Sequence, residues 1–415
     1  MAQKSTISSL FKKAENAHVP DKKIAENLGQ KVPQKTKWSE EQEEFLSSNF
    51  SKAFLKALAG TGKTSSLLEY ARRRPHQNWT LLVFNKKTAE HIQSLAPKNI
   101  AVKTAHQFAF AHFGKSLGHK IQENVEVEEW KKFFPNKNRA SLQKIKKMFD
   151  HYLLSDKKMS DFLSHFGKNM SEKDKGYISA AWEMSLSASS SFPITHDVYM
   201  KRLAQSDVLW PRRVMLDEAQ DWSDAFLSAF VRSENHILCG DPYQNLYLWR
   251  FATADIHKFN SNIFWLTQSF RQSNSFSPLV NKFLKKMQCP KNWRGTEDFG
   301  QFISPIQTPD NIKEFNPDVF LAYGQATLDK INAPENKKMT IHASKGLEFN
   351  SVWVCDDALP PFLSDKDRLS LSYVAVTRAK VNLRIPLDWN SKFVPSQPNS
   401  EILSPTCEEL GDFFS

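Results

Sequence analysis

The sequence predicts an α/β fold made of two lobes, each with a parallel sheet. A chain of 415 residues is too long for one ordinary core. Short apolar strands alternate with helix-like stretches, which is typical of parallel-sheet domains. The clearest predicted strands span residues 80–84, 214–216, 236–239 and 351–354. The alternation occurs twice along the chain, which favours two lobes over one.

Composition divides the chain further. The first residues are rich in Lys, Gln and Ser with few apolar anchors, which predicts a flexible extension before Trp38. A Lys- and Phe-rich stretch in the first lobe has helix-like spacing and no strand signal. We therefore expect a flexible extension over 1–37, a first lobe over 38–110 and 207–262, a helical insertion over 111–206, a second lobe over 263–390 and a tail over 391–415.

Charge and cysteine content limit the function classes. Lys and Arg total 56 against 45 Asp and Glu, a net charge of +11, which fits either contact with a polyanion or simple solubility. No apolar run reaches the roughly 20 residues that cross a bilayer, and no secretion signal is present. We expect an intracellular protein, with nucleus and nucleoid-associated cytoplasm left open. Four scattered cysteines without a CxxC pair argue against a disulfide frame or structural metal.

Residues 57–64 read ALAGTGKT, the end of a phosphate-binding loop between an apolar stretch and a helix-like one. Gly60 and Gly62 allow backbone N–H groups to curl round phosphates at a helix N-terminus. Lys63 would neutralise the terminal phosphates, and the Thr64 hydroxyl would ligate Mg²⁺. Ala57 stands where the general motif has Gly. The alternative is a chance match in a loop, which the strand and helix flanks disfavour.

Residues 214–221 read VMLDEAQD, an apolar strand that ends in two carboxylates. Asp217 would hold Mg²⁺ through water, and Glu218 would act as general base on the attacking water. The alternative is a solvated acidic strand end. Together with the phosphate-binding loop, this pair predicts a nucleoside triphosphatase.

The DEAQD segment resembles the second motif of the UvrD/Rep branch of superfamily 1 helicases, and segments similar to four later motifs follow in order. These are GDPYQNLYLWR at 240–250, LTQSFR at 266–271, TIHASKGLEF at 340–349 and YVAVTRAK at 373–380. Within this branch the chain is most similar to the F-box DNA helicase family, through VKTAHQFAF at 102–110 and PITHDVYMK at 193–201. No F-box is apparent, which puts ubiquitin-ligase membership in doubt.

The resemblance implies two RecA-like P-loop NTPase lobes with ATP and Mg²⁺ between them. Gln244 would sense the γ-phosphate, while Arg271 and Arg378 would act as arginine fingers. The implied catalytic residues are Lys63, Asp217, Glu218, Gln244, Arg271 and Arg378, and the implied metal ligands are Thr64 and Asp217. The implied nucleotide contacts are Gln42, Ala59, Gly60, Thr61, Gly62, Lys63, Thr64, Phe270, Gly346 and Glu348. Gln42 would read adenine, with a helix cap as the alternative.

Contacts to single-stranded DNA and single-strand/duplex junctions are also implied by the resemblance. The expected contact residues are Phe84, Asn85, Thr104, His106, Tyr247, Trp249 and His342. Aromatic rings stack on bases of any sequence, and Thr, Asn and His bind phosphates. Phe84 and Trp249 could instead be core aromatics. Phe251 stands where the branch has Gly and would reshape the base-stacking loop.

Three further features of the sequence concern the surface of the insertion, the size of the second lobe and possible partners. The lysines of the insertion predict either a surface that tracks a nucleic-acid backbone or a solvated helix face. Only 68 residues separate Arg271 from Thr340, too few for the accessory domain of larger relatives. Both ends of the chain resemble sliding-clamp-binding peptides, with ordinary tails as the alternative. The predicted clamp-binding residues are Ile7, Leu10 and Phe11, or Leu410, Phe413 and Phe414.

Three hypotheses follow. The first is an enzyme, a monomeric ATP-dependent DNA helicase or translocase with 3′–5′ polarity that acts in replication, recombination or repair. The second is a clamp-tethered DNA-binding scaffold with little ATP turnover. The third is an RNA-directed motor. The intact set of catalytic residues favours the first.

Overall fold

The computed structural model describes residues 37–246, 262–297, 316–356, 359, 363–386 and 389. Within these residues the chain alternates strands and helices, as an α/β fold requires. The strands are β1 (Lys52–Ala57), β2 (Trp79–Val83), β3 (Ile100–Thr104), β4 (Arg213–Leu216), β5 (Asn235–Gly240), β6 (Asn262–Leu266), β7 (Gln268–Ser273), β8 (Arg294–Thr296), β9 (Val319–Ala322), β10 (Lys338–Thr340), β11 (Phe349–Val354) and β12 (Ala379–Arg384).

Two parallel sheets form the two lobes, which confirms the predicted fold class. The first sheet has the order β3-β2-β4-β5-β1-β6, and the second has the order β10-β9-β11-β12. Every pair in both sheets is parallel. A short pair, β7 with β8, stands apart from both. Because all strands of a sheet point the same way, the loops that follow them gather at one edge.

The helices pack on these sheets or form the insertion. They are α1 (Glu40–Ser47), α2 (Lys63–Arg72), α3 (Lys86–Leu95), α4 (Ala105–Ala109), α5 (Val127–Phe133), α6 (Arg139–Leu154), α7 (Met159–Phe166), α8 (Glu172–Leu186), α9 (Asp197–Ala204), α10 (Asp224–Phe230), α11 (Ser277–Lys286), α12 (Gln325–Leu328) and α13 (Asp365–Val376). In the described part of the chain, no helix has the length and apolar character needed to span a bilayer.

The first sheet is buried on both faces because successive side chains of a strand point to opposite sides. Leu55 and Leu81 belong to the core cluster that includes residues of α2 and α3. Phe54 and Leu82, their neighbours in sequence, belong to the cluster that includes residues of α9 and α10. Such two-sided burial explains why β1 and β2 are apolar runs rather than alternating patterns.

The insertion has a core of its own around Trp130, to which α5, α6, α7 and α8 contribute. Buried Lys201 of α9 donates through its ammonium group to the carbonyl oxygens of Ser155 and Lys157, just beyond the end of α6. Several charged side chains that the sequence left open as a nucleic-acid surface form local ion pairs. These pairs are Lys137 with Asp174, Arg139 with Glu128, and Lys146 with Asp150.

Two predicted boundaries differ from the structure. The lobe boundary was placed between residues 262 and 263, but β6 is an edge strand of the first sheet, with Ala53 paired to Asn262 and Ala57 to Leu266. The insertion was extended to residue 206, but α9 packs into the first-lobe core through Tyr199 and Leu203. The segments PITHDVYMK and LTQSFR overlap these two elements, but a motif does not say which sheet or core an element joins, so only the long-range partners show where each belongs.

Candidate nucleotide site and nucleic-acid face

The phosphate-binding loop connects β1 to α2 at the carboxyl edge of the first sheet. Gly60 and Gly62 have φ angles of 76° and 81°, a left-handed conformation that favours glycine. A Cβ atom on Gly60 would also lie 2.3 Å from the Ser269 hydroxyl oxygen. Helix α2 begins at Lys63, so its unpaired N–H groups face the loop, as anion binding requires.

Strand β4 brings the predicted carboxylates to this loop. The Thr64 hydroxyl donates a hydrogen bond to Oδ2 of Asp217 at 2.6 Å. Glu218 has a φ of 50°, rare for a residue other than glycine and often found at functional sites. Its carboxylate lies 3.9 Å from the Lys63 ammonium and accepts a 2.7 Å hydrogen bond from Gln220. Two residues 153 positions apart in the sequence, Thr64 and Asp217, therefore meet as the sequence predicted.

The two carboxylates have pKa values shifted in opposite directions. Burial, reinforced by the Glu218 charge, raises the pKa of Asp217 to about 6. Burial also acts to raise the pKa of Glu218, but the positive charges of Lys63 and Lys345 outweigh it and hold that pKa below its usual value. Glu218 is therefore ionised at neutral pH, the state that a general base needs.

The residues at this point fit a magnesium ion that is bound together with a nucleotide. Thr64 and Asp217 supply two oxygen ligands in contact with each other. Mg²⁺ takes one or two protein oxygens and completes its shell with water and phosphate oxygens. Among the described residues no group of three His, Cys, Asp or Glu side chains forms a metal site. Thr64 and Asp217 would therefore hold such an ion together with the phosphates of a nucleotide.

Gln244, the predicted γ-phosphate sensor, lies in contact with an arginine of the second lobe. Its amide nitrogen donates to Asp241 at 2.9 Å, and its amide oxygen accepts from Arg378 at 3.4 Å. Arg378 is buried and also donates to the carbonyl oxygens of Val374 and Leu347. Burial, together with the nearby positive charge of Arg271, lowers the pKa of Arg378 to about 9.

Arg271, the other predicted arginine finger, is paired within the second lobe. It forms a 2.5 Å ion pair with Glu348 and donates to the carbonyl oxygen of Thr377 at 2.8 Å. The neighbouring N–H of Phe270 donates to the carbonyl oxygen of Gly60 at 2.8 Å. The first residues of β7 therefore lie directly on the phosphate-binding loop, so the predicted finger and the loop are adjacent.

Gln42 has a structural role in this conformation. It is fully buried and forms a capping box with Ser39 at the start of α1. Its amide nitrogen donates to the carbonyl oxygen of Thr61 and to the Ser66 hydroxyl. The capping alternative is therefore observed, and contact with adenine stays a prediction that requires this amide to change partners.

The structure adds contacts between the lobes that sequence reasoning missed. Ala59 donates its N–H to the Tyr373 hydroxyl and accepts a hydrogen bond from the Trp293 indole. Lys345 donates to the Asp221 carboxylate at 2.5 Å and to the carbonyl oxygen of Gln244 at 2.6 Å. Tyr373 and Lys345 lie within segments already identified as motifs, but Trp293 lies in none, so no sequence signal was available for it.

The predicted DNA-contact residues lie in different environments. Phe84 is 41 % exposed, so it is not a core residue. Asn85 caps α3 by accepting the N–H of Thr88, and Thr104 is buried and caps α4. His106 contacts the Tyr199 hydroxyl through Nδ1 at 3.1 Å.

In the second lobe, the His342 ring lies 5.6 Å from the Tyr323 ring. Several other predicted residues lie outside the described ranges. These are Tyr247, Trp249 and Phe251 of the third motif and the clamp-binding residues Ile7, Leu10, Phe11, Leu410, Phe413 and Phe414.

Comparison with known proteins gives a family match and partial relatives. Residues 174–386 match the model of the viral superfamily 1 RNA helicase core domain. The chain is 26 % identical to F-box DNA helicase 1 of Gallus gallus over 251 residues, 52 % of this chain and 24 % of the relative. It is 26 % identical to F-box DNA helicase protein 1 of Schizosaccharomyces pombe over 299 residues, 62 % of this chain and 34 % of the relative.

A third similarity, to the ATP-dependent DNA helicase Rep of Buchnera aphidicola, reaches 31 % identity over 129 residues, 29 % of this chain and 19 % of that protein. The chain thus spans a quarter to a third of the length of the two F-box relatives. Among solved structures, it is similar to an arterivirus nonstructural protein 10 helicase in complex with DNA, with 14 % identity and a TM-score of 0.38 over 81 % of this chain and 61 % of the other. The chain is also similar to the PRRSV helicase, with 12 % identity and a TM-score of 0.40. This similarity covers 86 % of this chain and 57 % of the other.

Proposed function

The chain belongs to the superfamily 1 helicase family, and on that premise we propose that it is a DNA-stimulated ATPase that moves along single-stranded DNA. The observation that carries this proposal is the contact of Gln244 with Arg378 across the two lobes, next to the phosphate-binding loop. A residue that senses the γ-phosphate and an arginine that stabilises its transition state must meet at that place. We further propose 3′–5′ polarity and a role in replication, recombination or repair.

We propose that ATP binds between the lobes with its phosphates on the loop that begins at Gly60. Lys63 would neutralise the terminal phosphates, and Mg²⁺, held by Thr64 and Asp217, would offset charge on them. Glu218 would take the proton of the attacking water, because its pKa is held low enough for it to be ionised.

Arg271 and Arg378 would stabilise negative charge that develops on the γ-phosphoryl group. Because both belong to the second lobe, hydrolysis would require the lobes to be closed. The nucleotide site would be completed from that lobe by Gly346, Glu348 and Phe270. In the first lobe, Gln42 is the proposed adenine contact.

Single-stranded DNA is the proposed substrate because the three curated relatives are named DNA helicases. The proposed contacts are Phe84, Asn85, Thr104, His106, Tyr247, Trp249 and His342. The exposed ring of Phe84 supports this assignment, since an unprotected aromatic ring beside a parallel-sheet edge suits base stacking. The matched family model names RNA helicases, so RNA stimulation is an outcome that the experiment must measure.

Hydrolysis of ATP with and without oligo-dT or oligo-U tests the proposal. We compare wild type with Lys63→Ala and Glu218→Gln, and use Lys98→Ala and Glu123→Gln as matched controls at exposed positions. We expect strong stimulation by oligo-dT, abolished by the first two substitutions and retained in the controls. A wild type that binds DNA without turnover would favour the clamp-tethered scaffold, and preferential stimulation by oligo-U would favour an RNA motor.

Other proposals need separate measurements. A strand-displacement assay with 3′ and 5′ overhangs tests polarity, and light scattering tests the proposed monomer. Binding of the two terminal peptides to a sliding clamp tests the roles of Phe11 and Phe414. Microscopy of the tagged chain tests the proposed intracellular location.

A further inference from the structure

Two exposed phenylalanine rings lie at the carboxyl edge of the first sheet. Phe84 follows β2 directly, and Phe110 follows α4, the short helix after β3. Strands β2 and β3 are adjacent and parallel, with Val83 paired to Thr104, so both segments leave the sheet at the same edge. The exposed fractions are 41 % for Phe84 and 36 % for Phe110. Ligands of parallel α/β sheets bind at this edge.

A continuous row of aromatic and histidine rings joins these two phenylalanines. The centroid separations are 5.5 Å from Phe84 to Trp222, 6.5 Å from Trp222 to His106, 5.9 Å from His106 to Tyr199 and 5.8 Å from Tyr199 to Phe110. Trp222 and Tyr199 are buried. The exposed rings therefore rest on fixed neighbours, which lowers the entropy that ordering a ligand contact would cost.

The local backbone places Phe110 in this position. Residues Phe110–Gly114 form a π-helical turn, a rare conformation that is frequent at functional sites. A Cβ atom on Gly114 would overlap the Phe110 ring at 2.0 Å. The absence of a side chain at Gly114 therefore leaves space for the Phe110 ring in its observed position. The ring packs against the backbone there, although part of it is exposed to solvent.

His196, at the junction of the insertion and α9, extends the row. Its Nδ1 lies 2.8 Å from the Tyr199 hydroxyl, and Nδ1 of His106 lies 3.1 Å from the same oxygen. A phenol has one hydrogen to donate, so one imidazole accepts it and the other donates to the oxygen. Tyr199 thereby orients both rings, and exposed His196 retains its second nitrogen for a ligand.

We propose that the path of single-stranded nucleic acid continues from Phe84 along this row onto the insertion, with Phe110 and His196 as contact residues. The inference rests on the proposed function. Flat rings stack on bases of any sequence, and imidazole binds phosphate oxygens. The two ends of the insertion, where it joins the first lobe, then form part of the binding surface of the motor.

Binding of fluorescent oligo-dT by the full chain, measured by anisotropy, tests this path. Removing one base-stacking ring should weaken binding about tenfold, so we expect that loss in Phe110→Ala and recovery in Phe110→Trp. Leu209→Ala is the matched control, because it removes an apolar side chain that is 91 % exposed and belongs to no part of the row. His196→Ala should weaken binding by a smaller factor.

Photocrosslinking of wild type to an oligonucleotide with 5-iodouracil gives a second test that needs no variant. We expect adducts in the peptides that contain Phe110 or His196. If wild type binds oligo-dT, Phe110→Ala binds as well as Leu209→Ala, and adducts form only elsewhere, the path is overturned while the proposed function stands. If wild type binds no nucleic acid, the proposed function itself fails.

Discussion

The hydroxyl of Tyr373, in the second lobe, accepts a hydrogen bond at 3.0 Å from the main-chain N–H of Ala59 in the phosphate-binding loop. The same hydroxyl donates to Asp241 at 3.0 Å, and the Trp293 indole donates to the carbonyl oxygen of Ala59 at 2.9 Å. Both polar groups of one loop residue are thus satisfied by the opposite lobe. Any rotation of the lobes must therefore break these bonds or move the loop.

Tyr373→Phe should lower the free energy of unfolding by about 1–3 kcal/mol, because it leaves the buried N–H of Ala59 without its partner and removes one of the two hydrogen bonds that Oδ2 of Asp241 accepts. Chemical denaturation measures this loss. Tyr177→Phe is the matched control, since its half-exposed phenol makes no hydrogen bond to any residue that the structure describes. Equal stability of both variants would show that the Ala59 contact does not hold the lobes.

Gly60→Ala should destabilise the chain and reduce ATP turnover severely. The φ of 76° strains any residue with a Cβ, and that atom would lie 2.3 Å from the Ser269 hydroxyl oxygen. Gly176→Ala in helix α8 is the opposite case, because a Cβ atom at this position would meet nothing within 4 Å. Alanine is also more favourable than glycine inside a helix, by about 0.5–1 kcal/mol. Melting temperatures should fall for the first variant and rise for the second.

Arg271→Ala should reduce kcat by about a thousandfold or more, since an arginine finger contributes that much to transition-state stabilisation. The KM for ATP should change much less, because the ground-state phosphates would be held by the first lobe. Steady-state ATPase assays give both constants. Arg72→Ala, which removes an exposed arginine whose ion pair is with Glu69 of its own helix, should leave both unchanged. A rise in KM alone would assign Arg271 to nucleotide binding instead.

Asp221→Asn should change the pH dependence of stability. Burial raises the pKa of Asp221 to about 6 even though Lys345 is paired with it. The native chain therefore holds a proton that the unfolded chain has already released, so the free energy of unfolding falls as pH rises from about 4 to about 6.

In the asparagine variant this contribution is absent. Wild type should lose about 1–3 kcal/mol more stability than Asp221→Asn between pH 4.5 and 7. Denaturant titrations at both pH values measure the difference. Parallel curves for the two proteins would mean that Asp221 does not bind a proton in this range.

Much of the nucleotide site could be predicted from local sequence. Asp217 lies directly after β4, and Lys63 lies at the end of the loop that follows β1; parallel strands deliver their following loops to one edge. The 2.6 Å contact of Thr64 with Asp217 follows from that rule. The resemblance implied that Arg378 would come from the second lobe toward the γ-phosphate, and the structure shows its contact with Gln244.

Other features depended on contacts that no local pattern encodes. Strand β6 precedes the second-lobe segments in sequence, yet its hydrogen bonds go to β1, so it belongs to the first sheet. Trp293 lies outside every motif, and its role appears only because its indole reaches Ala59. For Gln42 the sequence left adenine contact and a helix cap open, and the structure shows the cap and a hydrogen bond from its amide to the loop.

The two parallel-sheet lobes, the phosphate-binding loop and the family could be predicted from residue patterns alone, because they depend on short runs of residues whose backbone chemistry is local. The contacts that hold the lobes together at Ala59, and the row of rings between Phe84 and Phe110, became visible in the folded chain. Those relationships join residues far apart in sequence, and their energies come from burial and geometry that arise only when the chain is folded.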